Sequence, residues 1–339
     1  MSVITSKESK TFKELQRLTQ KKYRDREGLF IAEGPNVVGE ALNEDRIEVR
    51  QVFAREGSDY EQYTEGTIVL SEKLFDSVSD TMTNQGLIAV IRKPDRGSAE
   101  NLLSRISGIK AFGADSGSVA AGDIAGKGIG AKAADASGDV IILDRLQDPG
   151  NIGTILRTAE GAGIRAAIFI KGTCDPYSPK VVRACAGSIL RMPIAFCESA
   201  EEAITIAHNC GYRLAVTDVR HGVPYYDAGL SGRHAPIQDR TKMEHVTAQS
   251  TEANAPKMSC SELEQKLEQT QTCDGSANGS ARSVRIALVI GNEGNGVSDV
   301  FREAADILVN IPMQGRLESL NASVAAALLM YEMARPRDK

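Results

Sequence analysis

The sequence predicts an α/β protein: a parallel, helix-wound sheet in the C-terminal half, preceded by a small α/β domain. Three observations predict it. Apolar runs of strand length alternate with helical segments between residues 29 and 91 and again from Asp139 onward. In the second region successive strands are joined by helical crossovers, which return the chain in the same direction and imply parallel pairing. The alternation stops between Asp95 and Gly138, and again between Ser231 and Ser283. The implied division is a small α/β domain at 1–93, a Gly/Ala-rich flexible linker at 94–138 and a second α/β domain at 139–339.

Taken in order, residues 6–26 read as one helix with Ser6 as its N-cap. Phe12, Leu15, Thr19 and Tyr23 share one face of it, and Lys10, Lys13, Arg17 and Lys21 share the opposite face. That basic stripe is either a solvated face or a track for a phosphate backbone. Strand 29–32, a helix from Gly34 through Leu42, strands 49–54 and 67–70, a helix opened by Ser71 and strand 86–91 complete the small domain. The linker is dominated by Gly, Ala and Ser, with room for one short helix at 102–109. Order returns with strand 140–143. Asp148-Pro149-Gly150-Asn151 turns into a helix reaching about residue 162. Strand 166–170, a helix led by Pro179-Lys180 and carrying Arg183, helix 200–210 and strand 213–217 follow. Residues 231–283 are rich in Ser, Thr, Gln, Glu, Asn and Gly and read as a disordered insertion with one possible helix at 261–267. The apolar runs 286–290 and 307–313 then each enter a loop of glycines, amides and hydroxyls.

Bulk composition bounds the function. The chain has 339 residues, enough for two domains, with 42% apolar and 25% charged residues, ordinary for a soluble protein. It has no apolar run of ~18 residues, and its N-terminus lacks a secretory apolar core, so a cytoplasmic location is expected. Six cysteines include no Cys-x-x-Cys pair, and no metal site is expected. A net charge of −5 argues against a generic nucleic-acid coat while leaving room for a local basic surface.

The remaining chemistry is narrow. Gly291-x-x-Gly294-x-Gly296 has the wrong glycine order for a dinucleotide fingerprint, which disfavours a nicotinamide enzyme. A Ser-His-Asp hydrolase lacks a placed histidine, since His221, His234 and His245 lie at or inside the insertion and His208 on a helix. Glu293 has no evident carboxylate partner for glycosyl chemistry. Amides, one arginine, one glutamate and hydroxyls suit binding a small polar cofactor and positioning a hydroxyl.

Three segments carry a specific resemblance. Asn151-x-Gly153-x-x-x-Arg157, Ile290-Gly291-Asn292-Glu293-Gly294-x-Gly296 and Ile311-Pro312-Met313-x-Gly315-x-x-x-Ser319-Leu320-Asn321-x-Ser323 look like the three motifs of SpoU-type (TrmH family) RNA 2′-O-ribose methyltransferases of the SPOUT superfamily. The order agrees and covers residues 139–335 apart from the insertion. The first ninety or so residues are similar to the ribosomal-protein-like substrate-binding domain of such enzymes. The resemblance implies a deep trefoil knot, a rare exception to unknotted chains, and a homodimer with its site at the interface, for which the small-residue helix at 322–329 is a candidate surface. It implies S-adenosylmethionine as cofactor, held by Thr217, Gly291, Asn292, Gly294, Ile311, Met313 and Leu320.

The roles implied for Asn151, Arg157, Glu293, Ser319 and Asn321 are catalytic. An arginine with a pKa above ~12 is a poor general base, so orienting the ribose hydroxyl or neutralising a phosphate is the easier role for Arg157. Asn151 is expected to hold Arg157 or the substrate, and Glu293 to pair with arginine and organise its loop. Ser319 and Asn321 are expected at the reaction centre, with helix capping as the alternative. Lys180, Arg183 and Arg191 join Lys10, Lys13, Arg17 and Lys21 as candidate RNA contacts. The implied substrate is ribosomal (23S) RNA, with transfer RNA, or a non-catalytic ribosome-assembly factor, as alternatives.

Overall fold

The computed structural model describes residues 3–79, 84–94, 97–108, 138–231 and 284–335. The first sheet comprises β1 (Leu29–Glu33), β2 (Val49–Arg55), β3 (Ile68–Leu70) and β4 (Leu87–Arg92) in the order β1-β4-β2-β3. Alternate residues face opposite sides. Ile31, Phe53, Ile88 and Val90 pack with Phe12, Leu15, Leu74 and Phe75 from the helices Lys10–Arg17 and Glu72–Val78. Phe30, Ala32, Ala89 and Ile91 belong to a cluster on the other side that continues into the second sheet.

The single helix expected over 6–26 is two helices, Lys10–Arg17 and Lys21–Glu27, the first preceded by Ser9 rather than Ser6. The break has a physical cause. The buried Arg24 guanidinium donates from Nη1 to the Leu18 and Thr19 carbonyls at 2.9 and 2.7 Å, taking acceptors that a continuous helix would use for itself.

The second sheet comprises β5 (Val140–Asp144), β6 (Ala166–Ile170), β7 (Ile194–Cys197), β8 (Tyr212–Thr217), β9 (Val223–Pro224), β10 (Arg285–Gly291) and β11 (Ile307–Asn310). The order is β7-β6-β5-β10-β8-β11-β9, and every neighbouring pair is parallel. β5 and β6 are buried at every position, as expected for strands covered on both faces. β7 and β9 were not legible in the sequence: four and two residues are too short to show a period.

Part of the expected linker is core. Residues Ala99–Ser107 form a helix, capped by Ser98 Oγ accepting from the Asn101 N–H at 3.2 Å. Its Ala99, Leu102 and Leu103 pack with Val140, Ile142 and Ala207. A short helix was expected here at 102–109; it begins three residues earlier, at Ala99, where the Ser98 cap sets its start. The rest of the expected linker, 109–137, and positions 232–283 of the expected insertion, including 261–267, lie outside the described residues. Among the described residues, no helix is long and apolar enough to cross a membrane.

Candidate active site

The parallel order brings the C-terminal ends of β5, β10, β8 and β11 side by side: Gly291 lies opposite Asp144, Val289 opposite Val216, and Val309 opposite Thr217. Loops leaving such ends form the usual ligand crevice of a parallel sheet. Buried Asp144 ties two of them together, accepting the Ser298 N–H at 2.8 Å and Arg145 Nε at 2.9 Å. Thr217 Oγ1 donates to the Val289 carbonyl at 3.1 Å, joining β8 to β10.

The β10 loop closes on itself. Asn292 and Gly296 exchange backbone hydrogen bonds of 3.0 and 2.9 Å, and Asn292 Oδ1 accepts the Gly294 and Asn295 N–H groups, each at 3.0 Å. Asn292 Nδ2 donates to the Arg145 carbonyl at 2.9 Å. A Cβ on Gly291 would stand 2.2 Å from the Val297 nitrogen, so only glycine fits there.

Glu293, at the tip of this loop, sits against the N-terminus of the helix Pro149–Gly161. It accepts from Gln147 N and Asp148 N, both at 3.2 Å, and from Asn151 Nδ2 at 3.0 Å. Partial burial pushes its carboxyl pKa up, but the Asn151 amide and the backbone N–H groups outweigh this and hold it below the ordinary value. A carboxylate can only accept here, so Asn151 must donate from Nδ2 and keep Oδ1 as an acceptor. Asn321 Nδ2 donates to that oxygen at 2.9 Å. Asn321 Oδ1 in turn caps the helix Ala322–Met333, accepting from Ser323 N at 2.9 Å and Ser323 Oγ at 2.6 Å. Acceptor and donor identities thus propagate in one direction from Glu293 to Ser323, through all three motif segments.

Three expectations change. Glu293 pairs with Asn151 and backbone amides instead of an arginine. Asn151 holds Glu293 and Asn321 instead of Arg157: six residues along a helix place the two side chains about 120° apart. Arg157 is exposed and, among the described residues, its side chain makes no hydrogen bond or ion pair. Ser319 is exposed and stands outside the network, whereas Asn321 both caps the helix and joins the network. Gly294 is exposed, and Ile311, Met313 and Leu320 are partly buried in the segment that follows β11. Gly153, in the first motif, is a packing residue: a Cβ there would stand 2.3 Å from Ala184 Cβ.

The sequence reading missed Asp144, Gln147, Asp148, Ser323 and Asp218. Asp148 was findable, as an N-cap residue directly before proline at the first helical position; its Oδ1 accepts the Asn151 N–H at 2.9 Å. Asp218 organises the loop after β8, accepting from Arg220 N at 2.8 Å and His221 N at 2.9 Å and facing Arg302 Nε at 3.1 Å. Burial raises its pKa, and those amides and Arg302 more than reverse the effect. Two buried side-chain atoms near the loops, Asn310 Oδ1 and Ser298 Oγ, have no partner among the described residues.

The basic candidates divide. Lys13 is paired with Glu8, Lys10 lies 4.0 Å from Glu14, and Arg17 stands 5.7 Å from the Tyr23 ring. Lys21, Lys180 and Arg183 are exposed. Arg191 is engaged by Glu160 and Glu40, which makes it a structural tie.

Comparison with known proteins agrees with this architecture. A model of the MRM3-like substrate binding domain matches residues 9–89. The chain is 27% identical over 338 residues to the 23S rRNA (guanosine(2553)-2′-O)-methyltransferase RlmP of Bacillus subtilis, covering 98% of this chain and 99% of that protein. A solved RNA 2′-O ribose methyltransferase superposes with a TM-score of 0.62 at 25% identity, covering 98% of both chains. The AdoMet-bound rRNA methyltransferase of Sinorhizobium meliloti gives 0.64 at 22% identity, covering 98% of this chain and 97% of that one. The fold and these likenesses define an RNA methyltransferase. The model of the SpoU rRNA Methylase family matches residues 139–237 and 231–331, and the chain belongs to that family.

Proposed function

We propose that the chain methylates a ribose 2′-hydroxyl of 23S ribosomal RNA, using S-adenosylmethionine. The observation that carries this reading is the Glu293–Asn151–Asn321 network, which joins three motif segments at the ends of β10, β5 and β11. The full-length likeness to RlmP supports the choice of RNA. The loops fit the cofactor: the Gly291–Gly296 turn offers close backbone approach, and Asn310 Oδ1 and Ser298 Oγ are buried polar atoms awaiting partners. S-adenosylmethionine, when bound, supplies a methyl group on a sulfonium that a hydroxyl oxygen can attack in line. The loops after β8, β10 and β11 hold it, and the network fixes the β10 loop against the helix carrying Arg157. Exposed Arg157 orients the ribose and screens the neighbouring phosphate.

Mapping ribose methylation in total RNA from cells with and without the chain tests the reading. One 23S position should lose its methyl group; loss confined to transfer RNA would overturn the substrate. Arg157→Ala should lower transfer by about 10²-fold or more with cofactor affinity retained, read by single-turnover kinetics and calorimetry. Undiminished activity would remove Arg157 from the mechanism.

The same reading makes the protein a cytoplasmic homodimer. Val324, Leu328 and Tyr331 are 48%, 38% and 58% exposed on one face of the C-terminal helix, while Ala326, Leu329, Met330 and Met333 bury the other. A helix apolar all round calls for cover on both sides. Leu328→Glu should therefore convert a dimer into a monomer in analytical ultracentrifugation; a wild-type monomer at micromolar concentration would sink the assignment. The trefoil knot belongs to this reading too. It is supported by the entry of β10 between β5 and β8 and by the β8 loop pressed on β11, where a Cβ on Gly222 would stand 2.6 Å from the Leu308 carbonyl oxygen. A crystallographic chain trace with an unthreaded C-terminal segment would exclude it.

A further inference from the structure

The junction between the two sheets holds a buried ion pair that the reaction does not use. Arg24, at 3% side-chain exposure, meets Asp175, at 8%, with Nε and Nη2 lying 3.0 and 2.6 Å from Oδ2. The remaining Nη1 bonds to the Leu18 and Thr19 carbonyls, and Asp175 Oδ1 accepts the Tyr177 N–H at 2.9 Å. Both partners are therefore hydrogen-bonded on several sides, the condition under which a buried charge pair holds one geometry rather than several. Around it, the Phe30 and Tyr177 rings stand 5.1 Å apart and Lys93 Nζ lies 4.9 Å from the Tyr177 ring centre. A second tie lies at the surface: Arg191 bridges Glu160, on the helix that carries Asn151, and Glu40, on the helix Pro35–Asn43.

The loop that carries Asp175 is itself bonded to the reaction centre. The Cys174 N–H donates to the Leu146 carbonyl at 2.9 Å, and Gln147 Nε2 donates to the Gly172 carbonyl at 2.6 Å. The Gln147 backbone N–H is one of the donors to Glu293. A continuous polar path thus runs from Arg24 through Asp175, the 172–177 loop and Gln147 to Glu293. The N-terminal domain is docked, not tethered.

We propose that Arg24 and Asp175 are positioning residues that fix the substrate-binding domain relative to the methyl-transfer site and so select which nucleotide is methylated. This rests on the reading of the chain as an RNA methyltransferase. Rigid docking makes the two ends of the RNA site a ruler: an RNA held by the first domain offers one ribose to the second. Loosening the pair widens the set of riboses within reach and weakens productive binding, while the cofactor loops on β8, β10 and β11 are left as they are.

The test uses the full-length chain carrying Arg24→Gln, with Arg24→Lys as the conservative variant. The probe is ribosomal RNA purified from cells lacking the chain. Expected for Arg24→Gln are a kcat/KM for RNA lower by roughly 10- to 100-fold, carried mainly by KM, an unchanged affinity for S-adenosylmethionine, and methyl groups at neighbouring riboses that the wild type leaves unmodified. Arg24→Lys keeps one charge-assisted bond and should recover part of the loss. Should Arg24→Gln fail to fold, Glu40→Gln removes the exposed tie without stranding a buried charge, and the same changes are expected on a smaller scale. A folded variant with the wild-type KM and site pattern overturns the proposal. So does an equal loss of cofactor and RNA affinity, which would mean that the pair only supports the fold. A wild-type protein that methylates no RNA would instead refute the underlying activity.

Discussion

Glu293→Ala should lower methyl transfer by about 10²-fold through misplacement of the reacting groups, although Glu293 itself is not required to touch the ribose. Removing the carboxylate leaves Asn151 Nδ2 and the Gln147 and Asp148 N–H groups without their shared acceptor. Asn151 is 8% exposed, so its stranded amide costs about 1–3 kcal/mol or forces the side chain to turn. A turned Asn151 offers Asn321 a donor where Asn321 needs an acceptor, and the cap on the C-terminal helix is disturbed in turn. One substitution therefore loosens all three segments. Pre-steady-state kinetics with ribosomal RNA measures the loss; activity within twofold of wild type would show that the network is ornamental. The same residue predicts a pH dependence. Its folded pKa is depressed below the ordinary glutamate value, so its contribution to stability is complete above the unfolded pKa and is lost as pH falls through the folded one. Acid denaturation of the wild type should carry this component below the ordinary glutamate range, and Glu293→Gln should lack it.

Gly291→Ala should abolish cofactor binding at concentrations that saturate the wild type. The added Cβ would stand 2.2 Å from the Val297 nitrogen, 2.3 Å from the Gly296 carbonyl carbon and 2.6 Å from its oxygen. All three are backbone atoms, so no side chain can swing aside and the loop itself must open. Opening breaks the paired Asn292–Gly296 hydrogen bonds and displaces Glu293. Overpacking of this kind costs about 1–3 kcal/mol of stability, so the variant should fold with a lower melting temperature. Gly294→Ala is the control, because its nearest neighbour would be Asn292 Oδ1 at 3.6 Å, an ordinary contact. Calorimetric titration with S-adenosylmethionine separates the two; equal affinities would place the cofactor elsewhere.

Much of the fold was legible because strands and helices announce themselves locally. The apolar run at Ala166–Ile170 and the Pro149-Gly150 turn into a helix are written in consecutive residues. The motif segments were legible for the same reason: each is a short string. Their partnerships were not. Asn151 and Glu293 are 142 positions apart, and nothing near either residue says that they meet. Locally, Arg157 is the natural partner for a carboxylate, and only the helix geometry turns it away. The helix at Ala99–Ser107 was anticipated in part, at 102–109, but its packing into the core was not, and the break after Arg17 was hidden by the absence of any local breaker.

The sequence by itself determined most of the longer elements, the two-sheet division, the glycine loop and many of the residues with chemistry to offer. Tertiary structure alone decided the order β5-β10-β8-β11, the donor–acceptor direction of the Glu293–Asn151–Asn321 chain and the Arg24–Asp175 lock. The division follows from the range of the forces involved. Side-chain periodicity records which face of a segment is apolar, and it repeats within a few residues. A buried amide or guanidinium must instead find its complement wherever the packed chain brings one, and that choice is made only when distant segments share the same interior.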